Sequence, residues 1–183
     1  MDVQDSYQKA IAFASEKHRG QKVPGTESSY IMHLSNVAME TMIAAHYTEH
    51  FDLEFAVQVA LLHDVLEDTS TTFDEIKDAF GRNIARAVLA LSKNKSIPAS
   101  QQISDSLSRI KLEPKEVWAV KLADRISNLQ KPPQHWDMNK IIDYNKMAGI
   151  ILLQLKGGNA YLENRLQQKI IDYREFVPTA NPL

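Results

Sequence analysis

The chain contains no cysteine in its 183 residues. A disulfide framework, a thiolate zinc site and a cysteine nucleophile are thereby excluded, so any metal must be held by imidazoles and carboxylates. Glycine is scarce, with six residues, and none falls in a GxGxxG or GxxxxGKS/T arrangement. The phosphate-cradling turns of common α/β nucleotide folds are therefore missing. Long apolar runs are absent too: the longest, around Met147–Leu153, is far short of the roughly 20 residues that span a bilayer. No charged-then-apolar signal segment opens the chain, which reads as cytoplasmic. Neither charge sign dominates, since 21 Lys and Arg face 23 Asp and Glu. No global positive field recruits nucleic acid or an anionic membrane. With 44% hydrophobic and 24% charged residues, the composition is that of one ordinary globular domain.

Helical periodicity is what the chain does have. Tyr7, Ala10, Ile11 and Ala14 recur at i, i+3, i+4 and i+7, and Ile84, Ala87, Val88 and Leu91 repeat the template. Leu34, Val37, Ala38, Met42 and Ala45 mark another helix, and Leu53–Leu66 a further, mostly buried one. Thr72-Phe73-Asp74-Glu75 has the form of a capping box, opening a helix that stops near Gly81. Ser92–Glu113, polar and interrupted by Pro98, reads as a long connection. Pro114 suits the start of a helix through about Leu129. Lys140–Leu155 and Asn159–Tyr173 complete an all-α domain.

Leu61-Leu62-His63-Asp64-Val65-Leu66-Glu67-Asp68 is the informative segment. At about 100° per residue with His63 at zero, Glu67 falls at about 40°, Asp64 at about 100° and Asp68 at about 140°, opposite the four apolar residues. A solvated helix face is the ordinary explanation. Against it, Phe55–Ala60 is apolar almost all round, and no Lys or Arg stands between Gln58 and Thr69 to pair with the acids. Clustered carboxylates repel unless a cation sits among them. Asp124 lies on the apolar face shared by Val117 and Val120, with Asn128 one turn on; a salt bridge to Lys121 or Arg125 is the alternative to a ligand role. A lone histidine such as His33 is more often a satisfied core residue than a ligand. Together these residues supply two imidazoles and two carboxylates, a set that Mn²⁺, Fe²⁺ or Zn²⁺ accepts.

The order His33, His63-Asp64, Asp124 resembles the H…HD…D signature of HD-domain metal-dependent phosphohydrolases. The strings AFASEKHRGQ, SYIMHLSNVA, ALLHDVLEDT, FGRNIARAVLALSKNKSIP and VKLADRISNL resemble the hydrolase domain of the RelA/SpoT-homologue proteins, which degrade the alarmone (p)ppGpp. The similarity runs from about Tyr7 to Leu155, and no synthetase domain follows, as in the single-domain small alarmone hydrolases. The resemblance implies one HD-type domain over 1–177 and a frayed tail over 178–183. It further implies that His33, His63, Asp64 and Asp124 hold one ion, usually Mn²⁺ in the family, with other divalent metals possible. Glu67 and Asp68 match the pair that orients and activates the attacking water. Asn128, Lys95 and Tyr144 match substrate contacts; taken alone, Tyr144 is as readily a packing residue and Lys95 a solvated loop charge. The implied reaction removes the 3′-pyrophosphate of ppGpp or pppGpp, giving pyrophosphate and GDP or GTP, in the stringent response.

Two departures from the family pattern stand out. A basic pair that helps hold guanine and phosphates is replaced by Val23-Pro24, leaving Arg19 and Lys22 to compensate; Leu34 follows His33 where many relatives have Pro. The first keeps open a different nucleotide substrate, such as a deoxynucleoside monophosphate or the 2′-phosphate of NADPH. A nucleotide-sensing module without turnover is the alternative of another class, disfavoured by the retained Glu67 and Asp68. His18, His46 and His50 read as surface or structural residues, and His135 and Trp136 as either pocket rim or packing. The expected partner is a small-molecule nucleotide, with no nucleic acid and no membrane, and no heptad seam assigns an oligomeric state.

Overall fold

Sequence signals for helix starts are met by side-chain caps in the computed structural model, which describes residues 2–177. Asp2, Asp52, Asp137 and Asn159 each accept a backbone N–H in the first turn of the helix they precede. The Thr72 capping box is complete: Glu75 N donates to Thr72 Oγ1 at 3.3 Å while Thr72 N donates to Glu75 Oε2 at 2.7 Å. At the other end of that helix Gly81 takes φ 88°, a backbone region that penalises a Cβ. The tail expected over 178–183 lies outside the described residues.

The helices run α1 (Val3–Lys17), α2 (Ile31–His46), α3 (Leu53–Leu62), α4 (Val65–Asp68), α5 (Phe73–Phe80), α6 (Arg82–Leu91), α7 (Ala99–Ile110), α8 (Lys115–Asn128), α9 (Met138–Gln154) and α10 (Ala160–Asp172), then a 3₁₀ turn (Tyr173–Phe176). Among the described residues no strand forms, only an isolated bridge between Lys22 and Ser29. No helix of the described residues is long and apolar enough to cross a membrane. The all-α expectation holds.

Two expectations are corrected. Leu53–Leu66 is not one helix: α3 ends at Leu62 and α4 begins at Val65. The His63 ring explains the break, because its Nδ1 lies 2.8 Å from the Ala60 carbonyl, the acceptor that a continuous helix would offer the Asp64 N–H. Ser92–Glu113 is not merely a connection, since α7 occupies most of it. Ile103, Leu107 and Ile110 give α7 an inward side, and tertiary bonds tie it down: Ser106 Oγ donates to Ala90 O at 3.0 Å and Arg109 Nη2 to Ser92 O at 2.7 Å.

α3 lies at the centre, against α1, α2, α6 and α8. Leu34, Leu61, Leu62, Leu122 and Ile126 are among the fully buried side chains there, each contributing about 1.5–3 kcal/mol. α10 is fastened to α2 by a bidentate pair, Arg165 Nε and Nη2 on the Glu40 carboxylate. The polar residues of α2, α3–α4 and α8 therefore sit on helices whose other faces are locked in the core.

Candidate active site

His33 comes from the first turn of α2, His63 and Asp64 from the break between α3 and α4, and Asp124 from the last turns of α8. His33 Nε2 is 3.3 Å from His63 Nε2, 3.5 Å from Asp64 Oδ2 and 3.5 Å from Asp124 Oδ1. His63 Nε2 is 2.9 Å from Asp64 Oδ2 and 3.7 Å from Asp124 Oδ1. Metal–ligand bonds of about 2.1 Å put neighbouring ligand atoms roughly 3–3.5 Å apart, so the spacing of His33, His63 and Asp64, which lie within 4.8 Å of one another, suits one divalent ion, with Asp124 against both imidazoles.

The far ring nitrogens decide what faces the cluster. The Ala60 carbonyl can only accept, so His63 Nδ1 carries the proton and Nε2 of the neutral ring presents its lone pair. His33 Nδ1 lies 3.1 Å from Ser127 Oγ, a hydroxyl that can accept its proton's hydrogen bond and, in that tautomer, turns the Nε2 lone pair to the cluster. Two imidazoles and the Asp64 carboxylate converging on one point, with the Asp124 carboxylate beside the imidazoles, suit a cation. Protonation shows the same demand: burial disfavours charge on His63, yet Asp64 and Asp124 outweigh it and push the ring up to about 10. His33 is raised against burial by the same carboxylates. Burial works against both anions as well, but the imidazoles, and Lys121 above all for Asp124, hold them well below the usual carboxylate range.

Beside the cluster, the acid pair is split in its surroundings. Glu67 is neutralised: its carboxylate accepts from Lys93 N at 2.9 Å and Lys93 Nζ at 2.6 Å. Asp68 is exposed to the cleft, and desolvation by its surroundings together with Asp64 and Glu67 raises its pKa. Tyr30 joins it to the cluster, donating its hydroxyl to Asp64 Oδ2 at 2.5 Å and lying 3.4 Å from Asp68 Oδ2. The phenol is stacked on buried His18 with ring centres 4.8 Å apart.

A cleft of about 390 Å³ opens over Asp64, Glu67, Asp68 and Asp124 and is also lined by Asn128 and Tyr144. Lys95 stands at its edge, Nζ donating to the Glu67 carbonyl at 2.5 Å. Asn128 donates to Asp124, and Lys121 pairs with Asp124 at 2.8 Å, so the salt bridge foreseen for this carboxylate coexists with its place in the cluster. A second hollow of about 510 Å³ shares Asn128 and Tyr144 and is walled by Val23, Pro24, Trp136 and Tyr173. Its two loops touch: a Cβ on Gly25 would come within 2.8 Å of Pro133 Cβ. Arg19 lines a different depression beside His18, and Lys22 pairs with Glu27 on the exposed turn, so neither is brought to the cluster. His46, His50 and His135 are exposed.

Tyr30 and Lys93 were not singled out from the sequence. Tyr30 lies three residues before His33 and Lys93 two before Lys95, spacings that place each near its neighbour but carry no chemistry alone.

Comparison with known proteins follows the same residues. The HD domain family matches residues 10–141. The guanosine-3′,5′-bis(diphosphate) 3′-pyrophosphohydrolase MESH1 of Danio rerio is 35% identical over 88% of this chain and 91% of its own length. The Homo sapiens protein of that name is 32% identical over 86% of this chain and 89% of its own. A solved structure described as a metazoan ortholog of SpoT that hydrolyses ppGpp superposes with a TM-score of 0.81 at 26% identity, covering 94% of this chain and 97% of that one.

Proposed function

The chain belongs to the HD-domain family, and from that premise we propose that it is a metal-dependent (p)ppGpp 3′-pyrophosphohydrolase using Mn²⁺. One observation carries the reading: His33, His63 and Asp64 converge closely enough to hold one ion, with Asp124 against both imidazoles, beside a carboxyl of raised pKa in a cleft with lysines on its rim. His33, His63, Asp64 and Asp124 would hold the ion, which when bound polarises a phosphoryl oxygen and lowers the pKa of water. Water adds to the phosphorus bonded to the 3′ oxygen, the P–O3′ bond breaks, and pyrophosphate and GDP or GTP result. Asp68 is the group placed to accept the water proton, because its raised pKa brings it nearer the operating pH. Glu67, pinned by Lys93, orients rather than takes the proton. Lys95, Asn128 and Tyr144 contact the nucleotide, which lies along the two connected hollows.

Support comes from the activity that the similar proteins carry in their names, with similarity along most of this chain's length. A second reading, the same site acting on another phosphorylated nucleotide, is favoured by Val23 and Pro24, which give the second hollow an apolar wall beside Trp136. The deciding assay adds Mn²⁺ to metal-free protein with ppGpp, pppGpp, NADPH or deoxynucleotides and identifies products by anion-exchange chromatography. Pyrophosphate and GDP from ppGpp, dependent on the metal, is the expected result. Phosphate released from another nucleotide with ppGpp untouched would overturn the substrate and keep the site.

A further inference from the structure

Arg125 follows Asp124 on α8 and is only 7% exposed. Its Nε and Nη1 are buried without a hydrogen-bond partner, and among the described residues no carboxylate pairs with it. Asp124, the neighbour that could have neutralised it, is taken by Lys121. The guanidinium is instead stacked, its Cζ 4.4 Å from the centre of the Tyr144 ring. A buried charge without a counterion destabilises a fold unless something outside the chain supplies the anion. Arg125 lines the same cleft as Asp64, Asp68 and Asn128, on the side where that cleft joins the aromatic hollow. The lysines nearer the acid pair are otherwise engaged: Lys93 holds Glu67 and Lys121 holds Asp124.

We propose that Arg125 is a substrate-binding residue whose guanidinium, braced by Tyr144, takes a second phosphate group of the nucleotide, remote from the phosphorus that reacts. The inference rests on the alarmone reading and deepens it, because it makes the enzyme select nucleotides phosphorylated at two separate positions. A planar, five-donor guanidinium suits that task better than an ammonium, since it can bond phosphate with two N–H groups while one face stays against a ring. Leaving it unpaired in the free protein costs stability and spares substrate the competition of an internal carboxylate.

The test uses the full chain with Mn²⁺ and the variants Arg125→Met and Arg125→Lys, assayed with ppGpp and with guanosine 3′-diphosphate, which has no 5′ phosphates. Arg125→Met is expected to raise KM for ppGpp by about tenfold to hundredfold, the worth of one or two charged hydrogen bonds, and to change kinetics on the truncated substrate little. Its Tm should hold or rise, because a buried uncompensated charge is gone, and Arg125→Lys should restore KM only in part. Equal losses on both substrates, or a Tm that falls with the activity, would assign Arg125 to holding Tyr144 and overturn the proposal. If the wild type leaves ppGpp intact, the alarmone reading fails by itself. Calorimetric titration of pyrophosphate into wild type and Arg125→Met then decides the anion site, which weaker binding by the variant would uphold and equal binding would overturn.

Discussion

The two walls of the cleft are made of different material. On one wall His33, His63, Asp64 and Asp124 project from helices whose opposite faces carry Leu34, Leu61, Leu62 and Leu122, all fully buried. Each imidazole is fixed a second time through its far nitrogen, on Ser127 or on the Ala60 carbonyl. The facing rim consists of Lys93 and Lys95 in the turn after α6 and of Tyr144 on α9, a 17-residue helix with only Ile141, Ala148 and Ile151 buried. Rigid scaffolding holds groups to the tolerance that chemistry demands, while exposed lysines, with long stems and rotatable donors, adapt to a flexible substrate. Changes in the ligand wall should therefore appear in metal content and kcat, and changes in the rim in KM.

The largest effect should come from Asp64→Ala, which removes a carboxylate proposed to bind the metal and also the acceptor of the Tyr30 hydroxyl. Metal and activity are expected to vanish together, with turnover down by about 10³-fold or more. Elemental analysis of the purified variant checks it; full metal stoichiometry would break the distinction between walls at its strongest point. Asp68→Asn comes next. It should keep the metal and lose roughly 10²–10⁴ in kcat, the range of a general base. The sign of the pH dependence follows from the raised Asp68: its carboxyl is protonated and idle at low pH, so wild-type activity climbs as pH rises through that raised pKa. A pH–rate profile for Asp68→Asn should lack this acidic limb. Persistence of the limb would move the proton acceptor elsewhere. Tyr30→Phe should cost less, about 10–100-fold in metal affinity or activity, as losses of groups that orient a ligand do. Metal titration of Tyr30→Phe against wild type measures it, and unchanged affinity and turnover would mean that Asp64 holds its position without the phenol.

How much of this was legible beforehand depended on whether a residue's role is local. That His63-Asp64 and Asp124 lie together could be read from an acid-bearing face on a buried segment and from Asp124 on an apolar face, because burial leaves a periodic signature in the sequence. The capping box at Thr72 was legible for the same reason. What failed was nonlocal. The helix break at His63 comes from a side chain competing for the Ala60 carbonyl, which no wheel at constant pitch contains. α7 was hidden by its serines: Ser106 bonds the Ala90 and Leu91 carbonyls of α6, while Ser104 and Ser108 bond carbonyls of α7 itself. Lys121 and Arg125 stood as equal candidates to pair with Asp124, and only the fold shows that Lys121, three residues earlier on the same helix, takes that carboxylate.

The smallest effect expected tests the rim. Lys95 touches the acid pair only through the backbone carbonyl of Glu67, in an exposed setting, whereas Lys93 grips the Glu67 carboxylate itself. Removing the Lys95 ammonium leaves both carboxylates of the pair where they are, so Lys95→Ala should raise KM by about threefold to tenfold, as one solvent-exposed charged contact to phosphate warrants, with kcat unchanged. Lys93→Ala should lower kcat as well, since the Glu67 carboxylate would lose the ammonium that grips it. Steady-state kinetics of the two variants side by side sharpen the division of labour to two residues two positions apart. A kcat loss in Lys95→Ala as large as that in Lys93→Ala would show that the rim, too, holds the acids in place, and that only the histidine side of the cleft is a fixed wall.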